Sequence, residues 1–330
     1  MGSALAFNPD LPLSKKMTWT IRPESSDDID GIISVQNQCS QMHKLHRSEY
    51  LRDIETLEPD LQRMVFVAES ADQVVGIVIM NRQAGSYHPN KFMLELGILE
   101  SHRNQGIGKA LYEMAERHLR GLDVINILVQ VSESNDIGLK FVKSRGYIQE
   151  KRDFVSVLSL DSFDPSQYPG KPHDIEIRSF EDCDSRETRR EWYDLICLVR
   201  HDVPRSSPPT PLPFEFFEEQ IMIEPDLVRS ATLFAYQNGQ MIGFAAGFHD
   251  TELNQFEQWL TGVHSDYRKK GVALALKVAQ ATEVKRLGIA TIKTDNDTRN
   301  APMLKVNDKL GFVRQPAVIS LGKDFWGCQG

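Results

Sequence analysis

The chain has 330 residues, of which 41% are hydrophobic and 25% charged, and its formal net charge is −8. This length favours two domains of roughly 150 residues, and the composition is that of a folded globular protein. The acidic balance argues against a nucleic-acid partner, and no apolar run approaches the ~20 residues of a membrane span.

The first half begins with residues 1–17, which lack the apolar core of a secretory signal and are expected to be a loose arm. Hydrophobic spacing then predicts a strand over 19–23, helices over 27–38 and 49–64, a hairpin over 65–80 and a strand over 92–99. A helix over 109–122, a strand over 124–131, a short helix opened by Asn135 and a strand over 154–160 complete this half.

Three prolines and a glycine predict a linker over 161–173. The second half then repeats the same order of elements. It has a strand over 175–178, helices over 185–199 and 214–223, a hairpin turning at Asn238-Gly239, a strand over 256–263, a helix over 272–285, a strand over 290–294, a helix over 300–310 and a closing strand at 318–319. The proline-rich loop 204–213 has no counterpart in the first half.

The two halves align without a gap, at an offset of 165 positions, from Gly97/Gly262 to Tyr147/Phe312. Identical pairs include Arg103/Arg268, Gly106/Gly271 and Gly146/Gly311. Shared helices alone would match the phase of apolar residues, but not arginine and glycine at fixed places. Because solenoid repeats are much shorter, the duplication predicts two similar domains, at 18–160 and 174–330.

Each half places a small-residue turn between a predicted strand and a predicted helix. The turns are Arg103-Asn104-Gln105-Gly106-Ile107-Gly108, followed by Lys109, and Arg268-Lys269-Lys270-Gly271-Val272-Ala273. Free backbone N–H groups and the helix dipole at such a turn make an anion site. A single copy would more often be a tight turn without a ligand, but two copies with a preceding arginine favour phosphate binding. The Walker lysine and the Rossmann glycine spacing are both absent.

This Arg-x-x-Gly-x-Gly/Ala pattern resembles the pyrophosphate loop of the GNAT acetyltransferase superfamily. The segments from Asn135 to Gly146-Tyr147 and from Asn300 to Gly311-Phe312 resemble the Asn…Gly-Phe segment of that family. The resemblance covers about 18–160 and 174–325, and it implies a mixed α/β fold. In that fold two GNAT-like domains each have a mixed central sheet with a splayed strand pair flanked by helices.

By this resemblance the cofactor is acetyl-CoA or another acyl-CoA. Both turns would hold its phosphates, together with Asn135, Asn300 and Asn307. The backbone of Leu96 and Ile98, or of Thr261 and Val263, would pair with the pantetheine arm like an added strand.

The family's reaction needs a base, a site for the oxyanion and an acid for the leaving thiolate. Glu95, before the first turn, is a candidate base, although a solvated strand glutamate is an equal reading; Glu257 is the nearest carboxylate before the second turn. The family's usual acid is a tyrosine seven residues after the asparagine. Val142 and Asn307 stand there instead, so that neither half has this acid.

The remaining polar clusters are not expected to be metal sites. His43 and His46 lie three residues apart without a third ligand, which favours a solvated helix face. Cys39, Cys183, Cys197 and Cys328 have no metal-ligand spacing and are interpreted as buried thiols of a cytoplasmic protein. His264, Trp259 and the phenylalanines of 214–217 could line an acceptor site or serve only as loop and core residues.

The sequence therefore predicts an acyl-CoA-dependent N-acyltransferase that moves an acetyl group to a small-molecule amine. The second half is expected to be catalytic, because it keeps the basic Lys269-Lys270 pair, Asn307 and the extra loop. The alternative is a non-catalytic acyl-CoA sensor or scaffold. No nucleic-acid or membrane partner is expected, and the acceptor and the oligomeric state stay open.

Overall fold

The computed structural model describes residues 18–39, 44–57, 59–82, 87–204 and 209–324. The expected arm 1–17, His43, Cys328 and part of the proline-rich loop lie outside these ranges. The chain divides into two compact units, one comprising Met1–Gln83, His88–Leu128 and Asp324–Gly330, the other Ala84–Tyr87 and Val129–Lys323. The units and the sequence repeats thus divide the chain at different points, and the repeat boundaries stay a prediction.

The first unit contains a mixed sheet with strand order β1-β2-β3-β4-β5, in which only β4 and β5 are parallel. Its elements are β1 (Thr20–Pro23), α1 (Ile29–Cys39), α2 (Arg47–Glu55), β2 (Met64–Ser70), β3 (Gln73–Asn81), β4 (Lys91–Ile98), α3 (Ile107–Arg120) and the beginning of β5 (Asn126–Ser132).

The predicted elements of this unit are largely confirmed. The β2–β3 hairpin turns at Ala71 and Asp72, which both have positive φ. On α3 the apolar stripe is buried through Leu111, Ala115 and Leu119, and each buried leucine contributes about 1.5–3 kcal/mol. The predicted helix over 49–64 is wrong in length, because α2 ends at Glu55 and Pro59 starts a separate 3₁₀ turn.

The second unit contains the strand order β13-β6-β11-β10-β9-β8-β7. Its elements are the end of β5, α4 (Asp136–Lys143), β6 (Ile148–Ser159), β7 (Glu176–Ser179), α5 (Phe180–Cys183), α6 (Arg186–Arg200), α7 (Phe214–Phe216), β8 (Leu233–Gln237), β9 (Gln240–Asp250), β10 (Gln255–Val263), α8 (Val272–Arg286), β11 (Thr291–Asp297), α9 (Ala301–Leu310), β12 (Val313–Arg314) and β13 (Val318–Asp324).

Strand β6 comes from the first sequence repeat but pairs with two strands of the second. Its Asp153–Ser159 stretch is antiparallel to all of β11, and its Ile148–Asp153 stretch is antiparallel to β13. The duplication in the sequence does not predict this pairing.

In the second unit, an aromatic cluster forms the core between α6 and the sheet. Trp192 is fully buried and packs edge-on against the rings of Phe180, Phe217 and Phe234, with centroids 5.1–5.5 Å apart. The predicted helix over 214–223 is a short α-turn followed by a π-helical turn at Phe217–Ile221. The mixed α/β architecture predicted from the sequence is confirmed. No helix in the described ranges is long and apolar enough to cross a membrane.

Candidate functional site

The two small-residue turns have the same backbone conformation. Gly106 and Gly271 have φ of 87° and 83°, and Asn104 and Lys269 both have φ of 61°. Left-handed residues at these places turn successive N–H groups toward one point, which is the geometry of an anion-binding nest. For Asn104 and Lys269, which are not glycines, this conformation carries a cost in strain.

The helices α3 and α8 begin directly at these glycines, and neither N-terminus is capped by a side chain. The first N–H groups of each helix are therefore left for a ligand. A Cβ atom added to Gly106 or Gly271 would approach nothing closer than 4.0 Å and 3.8 Å, respectively. The space beside both glycines is therefore open, and the uncapped N–H groups of the residues present fit the pyrophosphate of an acyl-CoA.

The two repeated arginines, Arg103 and Arg268, form hydrogen bonds within the protein. Nε of Arg103 donates to the carbonyl of Ile98 at 3.2 Å, and Nε of Arg268 donates to that of Val263 at 3.0 Å. Arg268 also pairs with Asp202 at 2.5 Å. Both side chains therefore tie the turn to the end of the preceding strand.

The other predicted phosphate ligands differ in their surroundings. The side chains of Gln105, Lys109, Lys269 and Lys270 are exposed. Lys109 lies 3.7 Å from Glu113, and Nζ of Lys270 lies 4.9 Å from the ring centre of Tyr267. Ile107 and Val272 are buried under their helices, with Gly108 and Ala273 beside them at the same turn. These apolar residues can contribute only backbone N–H groups.

Asn135 and Asn300 cap helices. Oδ1 of Asn135 accepts from the N–H of Gly138 at 2.9 Å, and Oδ1 of Asn300 accepts from the N–H of Met303 at 3.4 Å. The repeated asparagine of the sequence thus starts α4 and α9.

Both copies show the splayed parallel strand pair that the resemblance implies. Pairing of β4 with β5 ends at Met93/Leu128, and pairing of β10 with β11 ends at Glu257/Lys293. Leu96 and Ile98 on β4, and Thr261 and Val263 on β10, lie beyond these last pairs. Their strand edges are therefore free of the parallel partner.

The copies differ by one residue in the strand before the turn. Phe92 pairs with Ile127 and lies five positions before Gly97, whereas Phe256 pairs with Ile292 and lies six positions before Gly262. The extra residue is a β-bulge: Gln258 faces Gly247 and Leu260 faces Ala246 on β9, so that Trp259 has no place in the ladder. The β4–β3 register has no such shift.

The two candidate bases lie in different surroundings. Nε2 of Gln36 contacts both carboxylate oxygens of Glu95 at 3.0–3.2 Å. Desolvation by the surrounding protein raises the pKa of Glu95 and the bonds from Gln36 lower it, although the residue itself is exposed to solvent. Glu257 is half-buried and accepts a hydrogen bond from Nζ of Lys293 at 2.6 Å.

Asn307 is buried in a polar array that sequence reasoning missed. Its Oδ1 accepts from Nζ of Lys277 on α8 at 2.5 Å, and its Nδ2 donates to Oδ1 of Asn296 on β11 at 2.6 Å. Burial lowers the pKa of Lys277 to about 7. Nearby, Gln258 donates to Gln280, whose own amide donates to the carbonyl of Ala231.

The first copy has apolar or aromatic residues at the matching positions. Tyr112, Ala115, Val131 and Val142 align with Lys277, Gln280, Asn296 and Asn307. A signal for the array was therefore present in the sequence, as polar residues at positions that the repeat marks as interior. The bulge at Trp259 could have been recognised from the extra residue only once the strand pairing was known.

The remaining candidates have structural contacts. His264 caps the 3₁₀ turn Ser265–Tyr267, while Phe214 and Phe217 are buried in the aromatic cluster. Phe216 and Trp259 are 39% and 37% exposed, and Trp259 lies 5.9 Å from Phe248 between ring centres. Cys39, Cys183 and Cys197 are free, half-buried thiols.

The sequence model of the Acetyltransferase (GNAT) family matches residues 30–147 and 174–312. The chain belongs to the GNAT family. The match contains both turns and both splayed strand pairs, so this is a tandem GNAT protein, and acyl transfer is the general activity of its family.

Solved structures with the same fold cover almost the whole GNAT chain. A tandem GNAT protein from the clavulanic acid biosynthesis pathway is 17% identical, with a TM-score of 0.74 over 93% of this chain and 98% of that one. A GCN5-related N-acetyltransferase from Sphaerobacter thermophilus is also 17% identical, with a TM-score of 0.71 over 94% and 97%. A glucosamine N-acetyltransferase region of a fungal β-N-acetylglucosaminidase is 13% identical, with a TM-score of 0.67 over 93% and 38%.

Proposed function

We propose that this protein transfers the acetyl group of acetyl-CoA to the amine of a small molecule, and that the chemistry takes place beside β10. The observation that carries the proposal is the asymmetry of the two copies. Both have the phosphate turn, but only the second combines it with the bulge at Trp259 and with the polar array around Asn307.

The bulge supplies what an acyl-transfer site needs. Because Trp259 is left out of the β9 ladder, backbone groups at this place are not used by the sheet. Preorganised N–H donors of this kind stabilise the negative oxygen of a tetrahedral intermediate. Acetyl-CoA, when bound, supplies an activated acyl group. The turn at Gly271 and the free edge of β10 would hold it in line with the bulge.

Glu257 is the carboxylate on β10 that would accept a proton from the acceptor amine, and Lys293 keeps it in place. It lies two residues before the bulge. Glu95 is the corresponding candidate in the first copy, where the strand is regular. The neighbouring aromatic side chains Trp259 and Phe248 favour an acceptor with an apolar body.

Calorimetry with acetyl-CoA tests the cofactor, and release of free thiol with a panel of small amines tests the reaction. Gly271→Glu is expected to abolish turnover, whereas Gly106→Glu leaves most of it. Both substitutions introduce the same strain and the same negative charge into equivalent left-handed positions, so each controls for the other. The reverse outcome would place the active site in the first copy. If the wild type did not bind acetyl-CoA, the proposal that acetyl-CoA is the cofactor would be wrong.

A second candidate function is a non-catalytic acyl-CoA sensor or scaffold. It is favoured by the residues at the position of the family's acid, since neither Val142 nor Asn307 can protonate a thiolate. Binding of acetyl-CoA without amine-dependent thiol release across a broad panel would support the sensor.

A further inference from the structure

Lys277 is a buried amine with only neutral contacts. Its side chain is 3% exposed, its Nζ donates to Oδ1 of Asn307 at 2.5 Å, and it lies 5.0 Å from the ring centre of Phe312. No carboxylate in the described ranges pairs with it. Burying an amine without a counter-charge costs free energy of folding. We therefore ask which function its one hydrogen bond serves.

None of the titratable residues on the described elements packed against α8 pairs with Lys277. Glu257 pairs with Lys293, and Arg229, beside β8, pairs with Asp184. The charged residues of α9 are exposed, and these are Lys305, Asp308 and Lys309. The titratable residues of β8 and β9 make no hydrogen bond to Lys277, and these are Tyr236, His249 and Asp250.

Lys277 determines which way the amide of Asn307 points. Nζ of Lys277 donates to Oδ1 of Asn307, so Oδ1 faces α8 and Nδ2 faces β11. One hydrogen of Nδ2 goes to Asn296. No described residue accepts the second one. The side-chain amide of Asn307 is thus held in one orientation, with one N–H of Nδ2 that no described residue accepts.

This donor lies at the level of the splay. Asn296 is three residues beyond Lys293, the last residue of β11 that pairs with β10. On the facing strand, Oγ1 of Thr261 and Oε1 of Gln258 are buried without a partner. Buried polar atoms of β10, β11 and α9 therefore lie at the level where the two strands part.

We propose that Lys277 is a positioning residue, which fixes the amide of Asn307 so that its spare N–H faces the sulfur of CoA bound in the splay. This inference rests on the proposed function. In the transfer, the N–C bond forms first and the C–S bond then breaks, the electron pair of the C–S bond stays on sulfur, and the proton lost by the amine passes through Glu257 to water. The N–H of Asn307 stabilises the negative sulfur without giving up its proton.

The test compares the binding of CoA with that of desulfo-CoA, in which the thiol is replaced by hydrogen. Calorimetry at pH 8–9 is expected to show that the wild type prefers CoA several-fold, approaching the roughly tenfold limit that a thiol pKa lowered by about one unit allows once the pH exceeds the pKa of the free thiol. Lys277→Met lets the amide turn and should reduce this preference to near unity, while the affinity for desulfo-CoA is kept. Tyr112→Phe, at the matching position of the first copy, should leave the preference unchanged.

Asn307→Asp provides a second variant that is expected to fold, because the carboxylate gains an ion pair with Lys277. The aspartate side chain has no N–H group, so the preference of this variant for CoA over desulfo-CoA should fall as in Lys277→Met. A preference that persists in either variant, or an equal loss of affinity for both ligands in Lys277→Met, would overturn the positioning role. A wild type that binds both ligands equally refutes this inference alone, whereas one that binds neither refutes the proposed function.

Discussion

At the scale of single residues, a buried amine makes the stability of this protein depend on pH. The pKa of Lys277 falls from 10.5 in its ordinary state to about 7 in the fold. At a pH between these two pKa values, Lys277 is protonated in the unfolded chain and deprotonated in the folded chain. The free energy of unfolding therefore rises with pH in this window.

Lys277→Met should remove this dependence. Between pH 7 and pH 9, the free energy of unfolding of the wild type is expected to rise by about 2 kcal/mol relative to that of the variant. Urea denaturation at the two pH values measures the difference. Lys305→Met, an exposed lysine on α9, is the control and should behave as the wild type. If the free energy of unfolding changed with pH in the same way in the wild type and in Lys277→Met, the conclusion that Lys277 is buried without a counter-charge would be wrong.

The two glutamates before the turns offer a second test at this scale. Glu257→Gln should lower kcat for acetyl transfer about 100-fold or more, which is the usual contribution of a general base. Glu95→Gln should change kcat little, because its strand lacks the bulge. Steady-state kinetics with one amine and saturating acetyl-CoA decide between them. A larger loss in Glu95→Gln would move the chemistry to the first copy.

At the scale of elements, the sequence predicted the type of most helices and strands and the position of the two small-residue turns. Those features depend on local signals, such as the apolar stripe of α3 and the Asn238-Gly239 turn, whose residues both have positive φ. The bulge was missed because an inserted residue in one of two repeated strands becomes visible only through pairing with β9 and β11. The sequence also placed Asn135 and Asn300 at the start of helices, but it assigned them to the cofactor as well, because a repeated asparagine can serve a fold or a ligand.

Deletion of Trp259 tests the bulge directly. The deletion makes β10 as long as β4 and should restore a regular ladder with β9, so that the spare backbone groups are lost. We expect kcat to fall about 100-fold, as on removal of one oxyanion donor. Trp259→Ala keeps the extra residue and removes only a side chain that is 37% exposed, so it should keep most of kcat. Equal losses in both variants would assign the effect to the indole.

At the scale of the whole molecule, the duplication of the sequence and the division into compact units do not coincide. The repeat suggests a cut in the linker 161–173, but β6 lies before that linker and covers the edge of β11 along all seven of its residues. The same strand also pairs with β13. The second sheet therefore needs residues from both repeats, a dependence that composition and periodicity cannot show.

A fragment of residues 174–330 is accordingly expected not to fold on its own, because without β6 the central strand β11 becomes an open edge and β13 loses a partner. A fragment of residues 129–330 retains β6 and is the matched control. Circular dichroism and urea denaturation should show a cooperative transition for the longer fragment only. A cooperative transition of equal midpoint in the shorter fragment would mean that the second repeat closes its sheet without β6, and the folding unit would then coincide with the sequence repeat.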